Sequence, residues 1–137
     1  YDLFSELIVS DYYFVKSLLF ASSTLDEDEY NLYRQVFDII YNRIPTPDLY
    51  VYLHKSADSL LKNIKTRGRE YEQSISKDYL LSIEKEYFKF FKQHENLKIL
   101  LIDTNNLDFV NNDKDYKSIE KAIFSESYSK GITNIIL

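Results

Sequence analysis

Apolar residues fall along this chain in two alternating patterns, short unbroken runs and helical repeats. Leu7-Ile8-Val9 is a short run closed by Ser10-Asp11. It predicts a buried parallel strand with a carboxylate at its C-terminal end. Phe14, Leu18 and Ala21 share one face and predict a helix over 13–21. The acids Asp26 to Glu29 stand where negative charge suits a helix N-terminus, and are read as a cap rather than a metal site. Leu32, Val36, Phe37, Ile40 and Ile44 continue the helical spacing over about 28–42, and Pro45 and Pro47 end it. A second strand is expected at 48–53. Ser56-Ala57-Asp58 then opens a helix carrying Leu60, Leu61 and Ile64 toward Gly68. A long helix is expected over 75–94, with Leu80, Ile83, Tyr87, Phe90 and Phe91 on one side. The almost wholly apolar Lys98–Asp103 predicts a third strand, followed by a turn-rich loop (104–109) and a helix around Asp113–Phe124. The tail, 125–137, is weakly patterned, and its end is read as either a strand or unordered chain. Strands alternating with helices call for an α/β fold with a parallel sheet and right-handed crossovers.

Composition narrows the function classes. With 137 residues, 45% of them hydrophobic, the chain makes one domain with a real core. A net charge of −5 argues against broad nucleic-acid or membrane-surface binding, which needs a basic face. The sequence contains no cysteine, which excludes disulfides and thiolate metal sites and fits a reducing, cytoplasmic setting. His54 and His94 are far apart in sequence, so no zinc site is expected. No apolar run approaches the roughly 20 residues of a membrane span. Most of the 13 tyrosines stand at helix or strand spacing and are read as amphipathic core edges.

The candidate chemistry lies at residues 62–73. Four cations (Lys62, Lys65, Arg67, Arg69) occur here with no acid among them. On a continuous helix, residues two apart point about 200° away from each other. Arg67 and Arg69 could not then face one ligand. Gly68 lifts that limit, because glycine reaches positive φ at little cost and commonly ends helices. Both guanidinium groups can then converge on one concentrated anion, and their planar donor forks suit phosphate. The bland alternative is that these cations simply favour a helix C-terminus, by about 0.3–1 kcal/mol each. Asp11 has two readings as well. Ligand crevices of open α/β sheets lie outside the carboxyl ends of strands, and a Ser-Asp pair before a helix is also an ordinary cap.

The run Pro47-Asp48-Leu49-Tyr50-Val51-Tyr52-Leu53, then Leu60-Leu61, Arg67-Gly68-Arg69-x-x-Glu72-Gln73-x-Ile75 and Tyr79-Leu80, resembles the deoxynucleoside kinases. Asp28-Glu29-Tyr30-x-Leu32-Tyr33 upstream, and Asp103 with Asp108-Phe109 downstream, fit the same family. The variety most resembled is the bacterial deoxyguanosine/deoxyadenosine kinase group, over nearly the whole chain to about Phe124. The resemblance implies a P-loop-kinase-like parallel sheet flanked by helices. It implies transfer of the ATP γ-phosphoryl group, with Mg²⁺, to the 5′-hydroxyl of a deoxynucleoside, purine by this resemblance. By position, Arg67 and Arg69 match the lid arginines on the ATP phosphates, and Glu72 the carboxylate that accepts from the sugar 3′-hydroxyl. Asp108 and Phe109 match the segment packed on the ATP adenine. Asn63 stands where relatives often carry an arginine over that adenine. Asp11 matches either the strand-end Glu/Asp-Arg-Ser motif, with Tyr12 replacing its arginine, or a downstream base-reading aspartate. Both place it toward the nucleoside, as a catalytic and substrate-binding candidate beside Arg67 and Arg69. A homodimer is implied, with no nucleic-acid polymer and no membrane as partner.

One pattern is absent. A phosphate-cradling loop needs Gly-x-x-x-x-Gly-Lys-Ser/Thr, and the two glycines here are Gly68 and Gly131. The chain starts at Tyr1 and contains no methionine. It is therefore expected to be the C-terminal portion of a longer kinase. On this reading 1–124 belongs to the kinase domain, the lid lies at about 65–75, and 125–137 is a tail. The missing N-terminal part would carry the phosphate loop, the catalytic carboxylate and most Mg²⁺ contacts, so these 137 residues alone should be inactive. Two rival readings are a thymidylate-type nucleoside monophosphate kinase, which needs further cations for an acceptor phosphate, and a non-catalytic interaction domain.

Overall fold

The computed structural model describes residues 6–137, which form two compact units, one up to Pro45 and one from Thr46 onward. The first unit holds α1 (Val15–Thr24) and α2 (Glu27–Tyr41). Asp26 opens α2 with a reciprocal capping box. Its carboxylate accepts from the Glu29 N–H at 2.9 Å, and the Glu29 carboxylate accepts from the Asp26 N–H at 3.2 Å. The acidic cluster is thus a cap, as its position suggested. Within this unit the helices meet through aromatic rings. Phe37 is buried between Phe14 and Tyr41, with centroids 4.9 and 5.2 Å away.

One expectation fails in this unit. Leu7-Ile8-Val9 is not a strand: its side chains are 57–75% exposed and its backbone is irregular. An extended run becomes a strand only when its N–H and C=O groups find a ladder partner. All strand pairing among the described residues involves the second unit's three strands. The second helix does form over its expected span, and of its apolar positions Phe37 is buried while Leu32, Val36 and Ile40 are exposed.

The second unit runs β1 (Tyr50–His54), α3 (Ala57–Arg67), a 3₁₀ turn (Glu70–Glu72), α4 (Lys77–Gln93), β2 (Lys98–Asp103), α5 (Asp113–Phe124) and β3 (Gly131–Ile136). The strands lie in the order β1-β2-β3, all parallel, with Tyr50 opposite Ile99 and Ile99 opposite Ile132. The central strand β2 is apolar along its length because both its faces are covered. Leu100 and Ile102 pack with Ile119 and Ala122 of α5. The opposite face is aromatic: Tyr50 and Tyr52 of β1 meet Phe91 of α4 at 5.6 and 5.2 Å, and Phe91 is fully buried. The end of the weakly patterned tail is β3, the edge of this sheet. At the carboxyl ends, where ligands of such sheets bind, β1 delivers His54 and β2 delivers Asp103.

Candidate functional site

α3 carries the cationic stretch away from the sheet. Ser56 caps its start, accepting from the Ser59 N–H, and Lys77 at the start of α4 pairs with Asp58 at 2.7 Å. The helix stops at Gly68, whose φ of 70° and ψ of 20° are left-handed. A Cβ at Gly68 would meet open space. The requirement for glycine is therefore conformational, not steric. Arg69 follows in extended conformation, and the 3₁₀ turn returns the chain to Glu72. The Gln73 amide fastens the turn, donating to the carbonyls of Arg69 (3.0 Å) and Ile64 (3.3 Å).

The two guanidinium groups converge, as the glycine allowed, and the anion between them is Glu72. Arg67 donates from Nε at 3.0 Å and from Nη2 at 2.5 Å to Glu72 Oε2, and Arg69 donates from Nη1 at 3.3 Å to Oε1. Glu72 is buried, whereas each arginine side chain is about half exposed (51%). A buried carboxylate thus anchors two half-open guanidinium groups, and the triad keeps one net positive charge facing solvent. The Arg69 guanidinium is held above its ordinary range, first by the Tyr71 phenol and then by Glu72. The arrangement is equipped to receive a phosphate-like anion, because each guanidinium has five N–H donors and spends only one or two on Glu72.

The loop after β2 is the other candidate. Asp108 accepts from the Asn111 side-chain amide at 3.0 and 3.1 Å and from its backbone N–H at 3.1 Å, which together hold the carboxyl below the usual carboxylate range. Phe109 is half-buried and packs on the α5-side core. Asn63 is exposed on α3. Asp11 belongs to the first unit, where it is exposed and its charge acts on Lys16. The structure therefore brings together Arg67, Arg69 and Glu72, with Asp108 and Phe109 on a separate loop of the same unit.

Two contacts at the sheet's carboxyl edge were missed in the sequence. His54 Nε2 lies 2.8 Å from Glu84 of α4, so this histidine has a partner despite its isolation in sequence. Asn105 bridges Asp103 to Ser56; the sequence signal was an Asp-x-Asn directly after a strand. Among the described residues no group of His, Cys, Asp or Glu side chains could hold a metal ion. No helix there is long and apolar enough to cross a membrane.

Comparison with known proteins points one way. The deoxynucleoside kinase family model matches residues 2–127. A deoxyguanosine kinase of Bacillus subtilis is 29% identical over 116 residues, covering 82% of this chain and 56% of the relative. A deoxyadenosine kinase of Lactobacillus acidophilus is 32% identical over 111 residues, covering 74% of this chain and 52% of that relative. The solved structure of a deoxyadenosine kinase from M. mycoides with bound dCTP superposes with a TM-score of 0.69. It covers 82% of this chain and 61% of its own, and at 23% identity it speaks for the fold. The chain spans about half the length of the curated relatives it matches.

Proposed function

Because the chain belongs to the deoxynucleoside kinase family, we propose that the full-length protein transfers the ATP γ-phosphoryl group to the 5′-hydroxyl of a deoxynucleoside, with purines preferred. The observation that carries this reading is the arginine turn, where two guanidinium groups are set around Gly68 and anchored on one buried carboxylate. Phosphoryl transfer asks little covalent chemistry of a protein and much positioning and charge stabilisation. Arg67 and Arg69 are suited to that: they bind the phosphates and stabilise charge on the transferring group. Glu72 holds both arginines, and its Oε1, in the longer contact with Arg69, accepts from the sugar 3′-hydroxyl. Asp108 and Phe109 belong to the adenine site, and Asp11 faces the nucleoside. The names of the deoxyguanosine and deoxyadenosine kinases support the purine preference. Mg²⁺ accompanies ATP in this reading. The described residues offer it no group of three or more His, Cys, Asp or Glu side chains. Cytoplasmic location and a homodimer complete the proposal.

An acceptor panel tests it. The full-length protein, given ATP with deoxyguanosine, deoxyadenosine or thymidine monophosphate, should phosphorylate the two purine nucleosides and leave the monophosphate untouched. Turnover on thymidine monophosphate alone would favour the monophosphate-kinase reading. No transfer to any of the three would leave the non-catalytic one.

A further inference from the structure

The start of α3 has an unusual fastening. A helix N-cap residue has its own N–H outside the helical ladder, and that donor needs a partner. In α2 the need is met locally, because Glu29 reaches back to the Asp26 N–H. In α3 the equivalent residue is Ser59, too short to reach, and it receives the Ser56 hydroxyl instead. The Ser56 N–H therefore donates to Asn105 Oδ1 at 2.9 Å, 49 residues away in the loop after β2. The other end of the Asn105 amide donates to Asp103 Oδ1 at 2.8 Å, as does the Asn105 backbone N–H. The amide orientation is fixed by chemistry: NH₂ must face the carboxylate and the oxygen must face the N–H. Next to it, the buried Thr104 donates from both its N–H and its hydroxyl to the His54 carbonyl, each at 2.8 Å. The loop that leads to Asp108 and Phe109 thus grips the β1–α3 junction at His54 and Ser56.

We propose that Asn105 is a positioning residue that sets α3, and with it Arg67 and Arg69, relative to the loop that leads to Asp108 and Phe109. That these two parts act as lid and adenine loop rests on the deoxynucleoside kinase reading; the bridge itself rests on the hydrogen bonds. α3 acts as a lever about 16 Å long, so a tilt of about 5° at Ser56 moves the arginine end by about 1.4 Å. A misplacement of that order is enough to cost about 100-fold in a positioned reaction. Adenine seated on the loop would then fix where the phosphate-binding arginines stand.

The test uses the full-length protein, Asn105→Ala, and the exchanged pair Asp103→Asn with Asn105→Asp. The exchanged pair keeps an acceptor for Ser56 N–H and a donor between positions 103 and 105. Asn105→Ala should lower kcat/KM for ATP by about 10–100-fold. The exchanged pair should return kcat/KM for ATP to within about threefold of wild type. Hydrogen exchange over residues 56–68 should quicken about tenfold or more in Asn105→Ala, while β2 stays protected. A kcat/KM for ATP that hardly moves in Asn105→Ala, or an exchanged pair as impaired as the alanine variant, overturns the inference and leaves the kinase reading standing. Absence of phosphoryl transfer in the wild type instead sinks the kinase reading. The exchange measurement then decides alone whether Asn105 positions α3, and unchanged exchange over 56–68 refutes it.

Discussion

Gly68 decides what the arginine stretch can do. Its φ of 70° is a conformation that costs an L-residue with a Cβ about 1–2 kcal/mol, and the space around it is open. Gly68→Ala should therefore destabilise the fold by about that amount and no more, read by urea unfolding. A loss well above it would show a steric requirement that the geometry lacks. Glu72 sits at the next decision. A buried carboxylate holding two guanidinium groups was not legible in the sequence, because Arg67 lies five residues away across a glycine turn, which matches no helical spacing, and Arg69, three residues away, lies outside the helix. The sequence read Glu72 as the acceptor for the sugar 3′-hydroxyl, and the ion pairs add the task of holding the arginines. The two tasks separate in Glu72→Ala, which removes the acceptor and is read on two substrates. If Oε1 reads the sugar, the variant should lose more kcat/KM on a 2′-deoxynucleoside than on its 2′,3′-dideoxy analogue, by roughly 5–100-fold, the scale of a partner left unpaired. Equal losses on both would confine Glu72 to the arginines.

At the scale of elements, β2 and α5 were readable to their last residues, because a central parallel strand is apolar throughout and α5 has a clear cap and spacing. Leu7-Ile8-Val9 was misread for the same reason that strands are hard to read alone: its apolar character is real, but a ladder partner is a tertiary fact. β3 shows the converse. Its half-buried and exposed residues alternate at the sheet edge, a weak signal in a short run containing Gly131, Thr133 and Asn134. The Asn105 bridge joins residues 49 apart, a distance no local pattern reports. The contact of α4 with the sheet centres on Phe91, and Phe91→Ala should cost about 3–5 kcal/mol in urea unfolding. The same interface makes an alkaline prediction. Burial pushes the Tyr87 phenol from 10.0 up to about 12 and raises Tyr52 as well. A folded pKa above the unfolded one means the stabilisation is present below pH 10 and is lost as pH rises toward 12. Tyrosinate absorbance followed with circular dichroism should show Tyr87 ionising late, with loss of structure, and Tyr87→Phe should shift that loss to higher pH. Ionisation of all tyrosines near pH 10 with the fold intact would contradict the burial.

At the scale of the whole molecule, the proposed phosphate site rests on the arginine turn. The arginine turn supplies charge, but the two glycines of the sequence form no phosphate-cradling loop, and solvated guanidinium pairs contribute only about 0–1 kcal/mol each. Calorimetric titration of the 137-residue chain with Mg-ATP should accordingly show no binding tighter than millimolar. A micromolar site would mean that these residues build a nucleotide site by themselves. On the kinase reading Arg67 and Arg69 serve phosphoryl transfer to a deoxynucleoside rather than merely suiting a helix end. The full-length protein and its Arg69→Ala variant can be assayed side by side for ATP-dependent conversion of deoxyguanosine to the 5′-monophosphate. Clear turnover by the wild type is expected, with a kcat lower by roughly 10²–10³-fold in the variant, the scale of losing one preorganised donor to developing charge. A variant that turns over at nearly the wild-type rate would contradict that role for Arg69.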